Sequence, residues 1–282
     1  MIRPGIAAAV QSLIRRLDDD ASVASDTVAT GFPTLDRMLG GGVRRGDLVV
    51  LAGDTSSGKS ALALAFALRA SEAGHVTHLL SGELSPERVL ERAVAIEGRV
   101  SVDELRRGGL DDERRAAAAA AALALRDRAP DVDALPAGDL DAAADLLRRA
   151  LDLELAVVDP LPALARGAAP LAEEMADVVR RLKALALELD AAVLVTTPLA
   201  GPVRDRTDQR PTLDDLGALG TLRQHADVVL GLYREELYQA DRGIEGAAEL
   251  HLLKSRNGPT GYVDLYFYRS WLRFEDMVDP DR

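Results

Sequence analysis

Residues 48–68 read LVVLAGDTSSGKSALALAFAL, and this stretch decides the fold. Leu48 to Ala52 is an unbroken apolar run, as expected of a strand buried on both faces. Gly53 to Ser60, GDTSSGKS, fits G-x-x-x-x-G-K-[ST]. Ala61 to Leu68 is alanine- and leucine-rich, the composition of a buried helix. A strand, a glycine-rich turn and a helix in that order form a phosphate cradle, because loop amides and the helix N-terminus both face the anion. Gly53, Asp54, Thr55, Ser56, Ser57, Gly58, Lys59, Ser60 and Ala61 are therefore the candidate nucleotide contacts. Lys59 is expected to reach the β- and γ-phosphates and the Ser60 hydroxyl to bind Mg²⁺, so ATP and Mg²⁺ are the expected cofactors. The alternative is a glycine-rich turn that holds no ligand.

Composition narrows the remaining choices. The 282 residues include no cysteine, which excludes disulfides, thiolate nucleophiles and cysteine-based zinc sites. The four histidines, His75, His78, His225 and His251, are scattered and suggest no metal cluster. No apolar run approaches the ~18 residues needed to span a bilayer. The N-terminus places Arg15 and Arg16 after its apolar part and has no cleavage-like site, unlike a signal peptide, so a cytoplasmic location without membrane contact is expected. A net charge of −12 argues against coating nucleic acid with the whole surface, but not against a local basic channel. Only three lysines, Lys59, Lys183 and Lys254, stand against thirty-one arginines. A lysine kept under that bias marks a place for a compact ammonium.

Residues 4–18 have Ile6, Val10, Leu13, Ile14 and Leu17 on one helical stripe. Such a helix is too short to stand alone and must dock. A polar linker follows, so residues 1–29 are set apart from a domain at 30–282. From there strands (47–53, 75–83, 132–138, 153–159, 191–197, 226–233) alternate with helices (59–73, 85–98, 101–109, 110–129, 139–150, 171–190). The seven alanines 116–122 extend a helix. Residues 247–274 read as an antiparallel hairpin about Asn257-Gly258. The fold class is α/β, a mainly parallel sheet flanked by helices with a C-terminal antiparallel hairpin.

Two acidic residues complete the candidate chemistry. Asp159, ending the strand LAVVD, suits the carboxylate that holds a Mg²⁺ shell. Its alternative is a turn or capping aspartate. Glu83 ends the strand after the phosphate-loop helix and suits the group that orients or deprotonates water. Its alternative is a surface glutamate capping helix 85–98.

Beyond these residues, TGFPTLDRMLGGGVRRGDLVVLAGDTSSGKSALAL (30–64) and SGELSPERVLERAVAIEGRVSVDELRRGGL (81–110) resemble the RecA-like ATPase domain of the replicative DNA helicases, the DnaB family. RRLKALALELDAAVLVTT, RPTLDDLGALGTLRQHADVVLGLYR and LLKSRNGPTGYVDLYF follow in that family's order, so the resemblance covers about residues 30 to 275. It implies a RecA-like P-loop NTPase with Glu83 as the catalytic glutamate. It implies a homo-oligomeric ring, usually a hexamer, with ATP at each interface. It implies that Lys254 and Arg256 reach a neighbour's site, making the catalytic set Glu83, Lys59, Lys254 and Arg256. The 4–18 helix resembles the family's linker helix, which docks on the adjacent subunit; packing on its own domain is the other reading. The helical N-terminal domain that contacts primase is expected to be absent.

Two departures bear on DNA. Pro198 stands where the family has a γ-phosphate-sensing glutamine. The loop DLGALG (215–220) stands where the family has D-x-R-E-S-G, leaving backbone amides at Gly217 and Gly220. Arg204, Arg206 and Arg210 nearby are candidate nucleic-acid contacts, diluted by Asp205 and Asp208; a solvated loop is the alternative. Two functions follow. One is a helicase-type ring ATPase, a hydrolase acting on single-stranded DNA in replication. The other is a divergent paralogue that binds ATP and assembles without unwinding, a nucleotide-switched scaffold or regulator. A RecA-like ATPase of the recombination or clock type is a third reading, opposed by GELS and KSRNGPTG.

Overall fold

Strand β3 (Leu48–Gly53) is buried along its whole length, because a helical layer covers the sheet on each face. The computed structural model describes residues 26–200, 206–239 and 244–277, with positions 10, 11 and 14. Of the helix expected at 4–18 only those three positions are described; they are helical and exposed. The rest of that helix, and Arg204, lie outside the described residues.

A short ribbon, β1 (Thr27–Val28) against β2 (Val43–Arg44), brackets helix α1 (Pro33–Leu39). The main sheet is formed by β3, β4 (Thr77–Ser81), β5 (Asp131–Ala134), β6 (Leu155–Asp159), β7 (Ala192–Pro198), β8 (Val228–Tyr233), β9 (Ala247–Ser255), β10 (Gly261–Tyr268) and β11 (Arg273–Asp276). Its order is β11-β10-β9-β8-β3-β7-β6-β4-β5. From β8 to β5 the pairs are parallel; β9, β10 and β11 run antiparallel.

Side chains alternate between two cores, as a pleated strand requires. Val49, Leu51, Val157, Leu194 and Leu230 pack under α2 (Lys59–Glu72), α3 (Pro86–Gly98) and α5 (Asp112–Arg128). Leu48, Val50, Val158, Val193 and Val229 face α6 (Leu140–Arg149), α7 (Leu171–Leu189) and α8 (Leu222–His225). Each such side chain contributes about 1.5–3 kcal/mol by leaving water. Between α3 and α5 lies α4 (Val102–Arg107), closed by a Ser101/Glu104 capping box. The alanine run lies in α5, whose Ala118, Ala121 and Leu125 form the buried stripe. No helix among the described residues is long and apolar enough to cross a membrane.

Two elements differ from the sequence reading. The edge strand expected at 132–138 ends at Ala134, two residues before Pro136, which has no N–H for a ladder. The C-terminal hairpin gains a third strand, β11. The turn before it lacks glycine, and Leu272 takes a left-handed φ of 56°, so the apolar run concealed the reversal.

Candidate functional site

The phosphate loop leaves β3 at Gly53, between Pro198 of β7 and Leu232 of β8. A Cβ on Gly53 would lie 2.7 Å from Ser57 Oγ and 3.2 Å from the Leu232 carbonyl oxygen, so only glycine fits. Gly58 has φ +100°, and a Cβ there would lie 3.0 Å from Phe274 Cζ. Ser56 also turns left-handed, at φ 64°. Asp54 closes the turn: its carbonyl accepts the Ser57 N–H at 3.2 Å, and its Oδ1 accepts the Thr55 N–H at 2.7 Å. Helix α2 then starts at Lys59 with no side-chain cap, and Ala61 is buried in its first turn. Its leading N–H groups and positive dipole end suit an anion. Ser57 Oγ is buried without a partner, an orphaned hydroxyl inside the cradle.

Lys59 Nζ donates to the Asp54 carbonyl at 2.8 Å. Burial holds its pKa below the ordinary lysine value, while the charges of Asp159, Asp54 and Glu83 oppose that shift. The charges of all three carboxylates thus act on one ammonium. Ser60 Oγ donates to Asp159 Oδ1 at 3.1 Å, and the buried Thr196 hydroxyl donates to the same oxygen. Glu83 is exposed, two residues past the end of β4. The adjoining Gly82 N–H is bonded to the Asp159 carbonyl at 2.7 Å, which ties the two acidic strand ends together. Helix α3 begins at Pro86 with Ser85 as N-cap and Glu87 as its first-turn acid, so Glu83 lies outside the helix start.

The hard oxygen donors of Ser60 and Asp159, beside an anion cradle, fit Mg²⁺ carried by a nucleotide. Among the described residues no cluster of three or more metal-ligating side chains forms. That suits a cation whose other ligands are phosphate and water. Bound there, it would neutralise phosphate charge.

Arg234, just past β8, was not singled out by the sequence reading. It is buried, with Nη1 3.3 Å and 3.4 Å from the carbonyl oxygens of Ser56 and Ser57. Glu236 pairs with it, and its guanidinium lies 4.5 Å over the Phe267 ring. Phe267 stacks on Phe274 at 4.4 Å. The C-terminal strands thus form the floor of the phosphate loop.

Lys254 and Arg256 lie elsewhere. Lys254 pairs with Val229, near the start of β8, whereas Gly53 pairs with Leu232 near its end. Lys254 is thus level with Val50 of β3, roughly 10 Å along the strand from Gly53 at ~3.3 Å per residue, and Arg256 lies further still. The structure therefore does not bring Lys254 and Arg256 to their own chain's Lys59 and Glu83. Lys254 Nζ donates to the carbonyls of Arg223 at 2.5 Å and Ala226 at 2.7 Å, at the C-terminal end of α8. Arg256 Nε lies 2.6 Å from Asp227 Oδ1, and its side chain is 51% exposed.

The loop beyond β7 holds its charges inward. Arg206 Nη2 donates to the Arg210 carbonyl at 2.8 Å and to buried Asp215 at 2.9 Å. Arg210 grips Glu249 with Nε at 2.7 Å and Nη2 at 2.6 Å. Burial raises the Glu249 pKa, but bonds from His251 and Arg210 outweigh it and hold the carboxyl at about 2. Of the candidate contacts Arg204, Arg206 and Arg210, the latter two are both paired within the chain. The Gly220 amide is likewise taken by the Gly217 carbonyl at 2.8 Å, so it is not free for a phosphate. Gly217 is an exposed kink with φ 53°. Pro198 pairs with Gly53, directly beside the phosphate loop. The backbone still links the two regions: Leu199 N–H bonds the Gly53 carbonyl at 3.1 Å, and Ala200 N–H bonds the Asp215 carbonyl at 2.8 Å.

A parallel sheet carrying a phosphate loop, with a carboxylate two strands away and an antiparallel extension, defines a RecA-like P-loop NTPase fold. Comparison with known proteins narrows this. The model of the DnaB-like helicase C-terminal domain matches residues 27–276, and the chain belongs to that family. The replicative DNA helicase DnaB of Geobacillus stearothermophilus is 32% identical over 257 residues, covering 89% of this chain and 56% of that helicase. The replicative DNA helicase DnaC of Bacillus subtilis is 30% identical over the same coverage. The chain thus spans little more than half the length of these relatives. The ATPase domain of G40P superposes with a TM-score of 0.91 at 25% identity, covering 98% of this chain and 100% of that one. A DnaB-like replicative helicase, described with its interactions with primase, gives 0.87 at 26% identity over 96% of this chain and 66% of that one. A KaiC-like protein of Pyrococcus horikoshii, at 0.61 and 16% identity, shares the fold.

Proposed function

We propose that the chain binds and hydrolyses MgATP as the motor domain of a replicative-helicase-type ring, acting on single-stranded DNA. The observation that carries this is the convergence of Lys59, Ser60, Asp159 and Glu83 on one glycine cradle. Lys59 and the α2 amides hold the phosphates, Ser60 and Asp159 hold Mg²⁺, and Glu83 orients the attacking water and takes its proton. Lys254 and Arg256 sit roughly 10 Å or more along the strand direction from their own loop. In this reading they neutralise the γ-phosphate of a neighbouring copy, which requires assembly into a closed ring such as a hexamer. Residues 30–282, joined by β1 (Thr27–Val28), are the proposed ATPase domain, the residues before β1 its docking segment, and the cytoplasm its setting.

The pairing of Arg206 and Arg210 with carboxylates, together with Pro198, favours a second reading: an assembling ATPase that does not unwind DNA. Steady-state MgATP hydrolysis and strand displacement, with and without single-stranded DNA, separate the two. The first reading expects hydrolysis stimulated severalfold by DNA, together with strand displacement, both lost in Lys59→Ala. Hydrolysis indifferent to DNA, without displacement, overturns it in favour of the second.

A further inference from the structure

A half-exposed arginine that serves another subunit's phosphate must be aimed, since a free guanidinium samples many rotamers. Asp227, the residue before β8, supplies the aim. Its side chain is 3% exposed, yet its carboxylate meets three donors. Oδ2 accepts the Leu48 N–H at 2.8 Å and Lys183 Nζ at 2.6 Å, and Oδ1 lies 2.6 Å from Arg256 Nε. The Arg256 N–H also bonds the Asp227 carbonyl at 2.8 Å. The side chain and the backbone of Arg256 are thus both anchored to one buried residue at the root of the central sheet.

The charges fit the same purpose. An isolated buried aspartate would cancel the cation it holds. Lys183, fixed by the Gly46 carbonyl at 2.7 Å, supplies a second positive charge to the same carboxylate. Asp227, Lys183 and Arg256 alone carry one net positive charge, which the nearby Asp47 offsets when it is ionised. Asp47, 4.0 Å from Lys183, is the other acid facing the cluster. The three lysines of this arginine-rich chain accordingly fall on two sites: Lys59 in the phosphate loop, Lys183 and Lys254 at this edge.

We infer that Asp227 is the positioning residue for Arg256, orienting the guanidinium toward a neighbouring copy's ATP, with Lys183 as its counter-charge. The inference rests on the reading that Arg256 acts in trans. Asp227 is bonded to Leu48, at the opposite end of β3 from its own chain's phosphate loop.

The test is steady-state MgATP hydrolysis by the full chain at assembling concentration. Asp227→Asn is expected to lower kcat at least tenfold, as Arg256→Ala does, with the KM for ATP within twofold because the phosphate loop is untouched. Mixing Asp227→Asn with Lys59→Ala in equal amounts is expected to restore activity severalfold above either alone. In the mixture an intact phosphate loop of one subunit meets an intact Arg256 of the other. A misfolded variant cannot complement in this way. Asp227→Asn/Lys183→Met, which removes both buried charges, guards against instability and is expected to stay slow and to complement. A kcat within twofold of wild type for Asp227→Asn, beside an impaired Arg256→Ala, overturns the inference alone. So does a loss that mixing rescues for Arg256→Ala but not for Asp227→Asn. Failure of Arg256→Ala to be rescued overturns the trans reading, and this inference with it.

Discussion

The phosphate loop and the loop beyond β7 use charge in opposite ways. Around Lys59, three carboxylates and a buried ammonium converge on a cradle whose helix amides lack a side-chain cap. At 206–220, the described arginines spend their hydrogen bonds on Asp215 and Glu249. The first arrangement costs folding free energy, through desolvation and a left-handed Ser56. That cost is intelligible only if a ligand uses the site. The second stabilises the loop and leaves little charge for a ligand. The difference teaches that ion pairing inside the chain is a better guide to a nucleic-acid surface than the number of arginines in a loop.

The largest effect expected concerns the first region. Lys59→Ala removes the only lysine in the cradle, and hydrolysis should fall by roughly a thousandfold or more, as expected when a preorganised charge on the transferring phosphoryl is lost. Coupled-enzyme rates measure it; a rate within tenfold of wild type would break the contrast. Next, Glu83→Gln should lower kcat by about 10²–10⁴ while leaving ATP affinity near wild type, since a general base acts on water rather than on the nucleotide. Single-turnover rates beside equilibrium binding provide the check.

The second region should respond through stability. Arg210→Ala leaves Glu249 with His251 alone and should cost about 1 kcal/mol, since Arg210 is nearly half exposed and its pair is screened. Denaturant unfolding reads that loss. If the arginines are internal braces, Arg206→Ala and Arg210→Ala should each change the log–log salt slope of single-stranded DNA binding by less than ~0.7, the value for one lost phosphate contact. A full unit per substitution would restore them as DNA contacts.

The smallest effect is in pH. Burial, with Asp227 nearby, pushes Asp47 up to about 6. The native state then binds a proton that the unfolded chain, at the ordinary value of 3.8, does not. Stability contributed here rises as pH falls from about 6 toward 4. Glu249 acts oppositely: held at about 2, it contributes stability above the ordinary value of 4.5 that is lost as pH falls toward 2. Thermal unfolding of Asp47→Asn between pH 4 and 8 should show a flatter profile than wild type, by on the order of 1 kcal/mol after solvent screening. An unchanged slope would contradict the assignment to Asp47.

Much of this was legible from the chain alone, because strand ends and loop chemistry are local. Lys59 and Ser60 follow from an eight-residue pattern, and Asp159 and Glu83 from their places at the ends of apolar runs. The residues that aim and brace these groups were not legible. Thr196 lies 37 residues from Asp159, and Arg234 lies 178 residues from Ser56; only the sheet order brings them together. Asp227 reads in sequence as an ordinary residue at the start of a strand. Its three donors, Leu48, Lys183 and Arg256, come from three separate elements. The pairing of Arg210 with Glu249 was concealed likewise, across 39 residues. Sequence showed which charges exist, but folding decided which of them were already neutralised.

The central claim is that Gly53–Ala61 with Asp159 forms a MgATP site. Titration calorimetry with a slowly hydrolysed ATP analogue, with and without Mg²⁺, on wild type and Lys59→Ala tests it most directly. The account expects binding that strengthens at least tenfold with Mg²⁺ and is lost in Lys59→Ala. Binding that ignores both the cation and the substitution would contradict it.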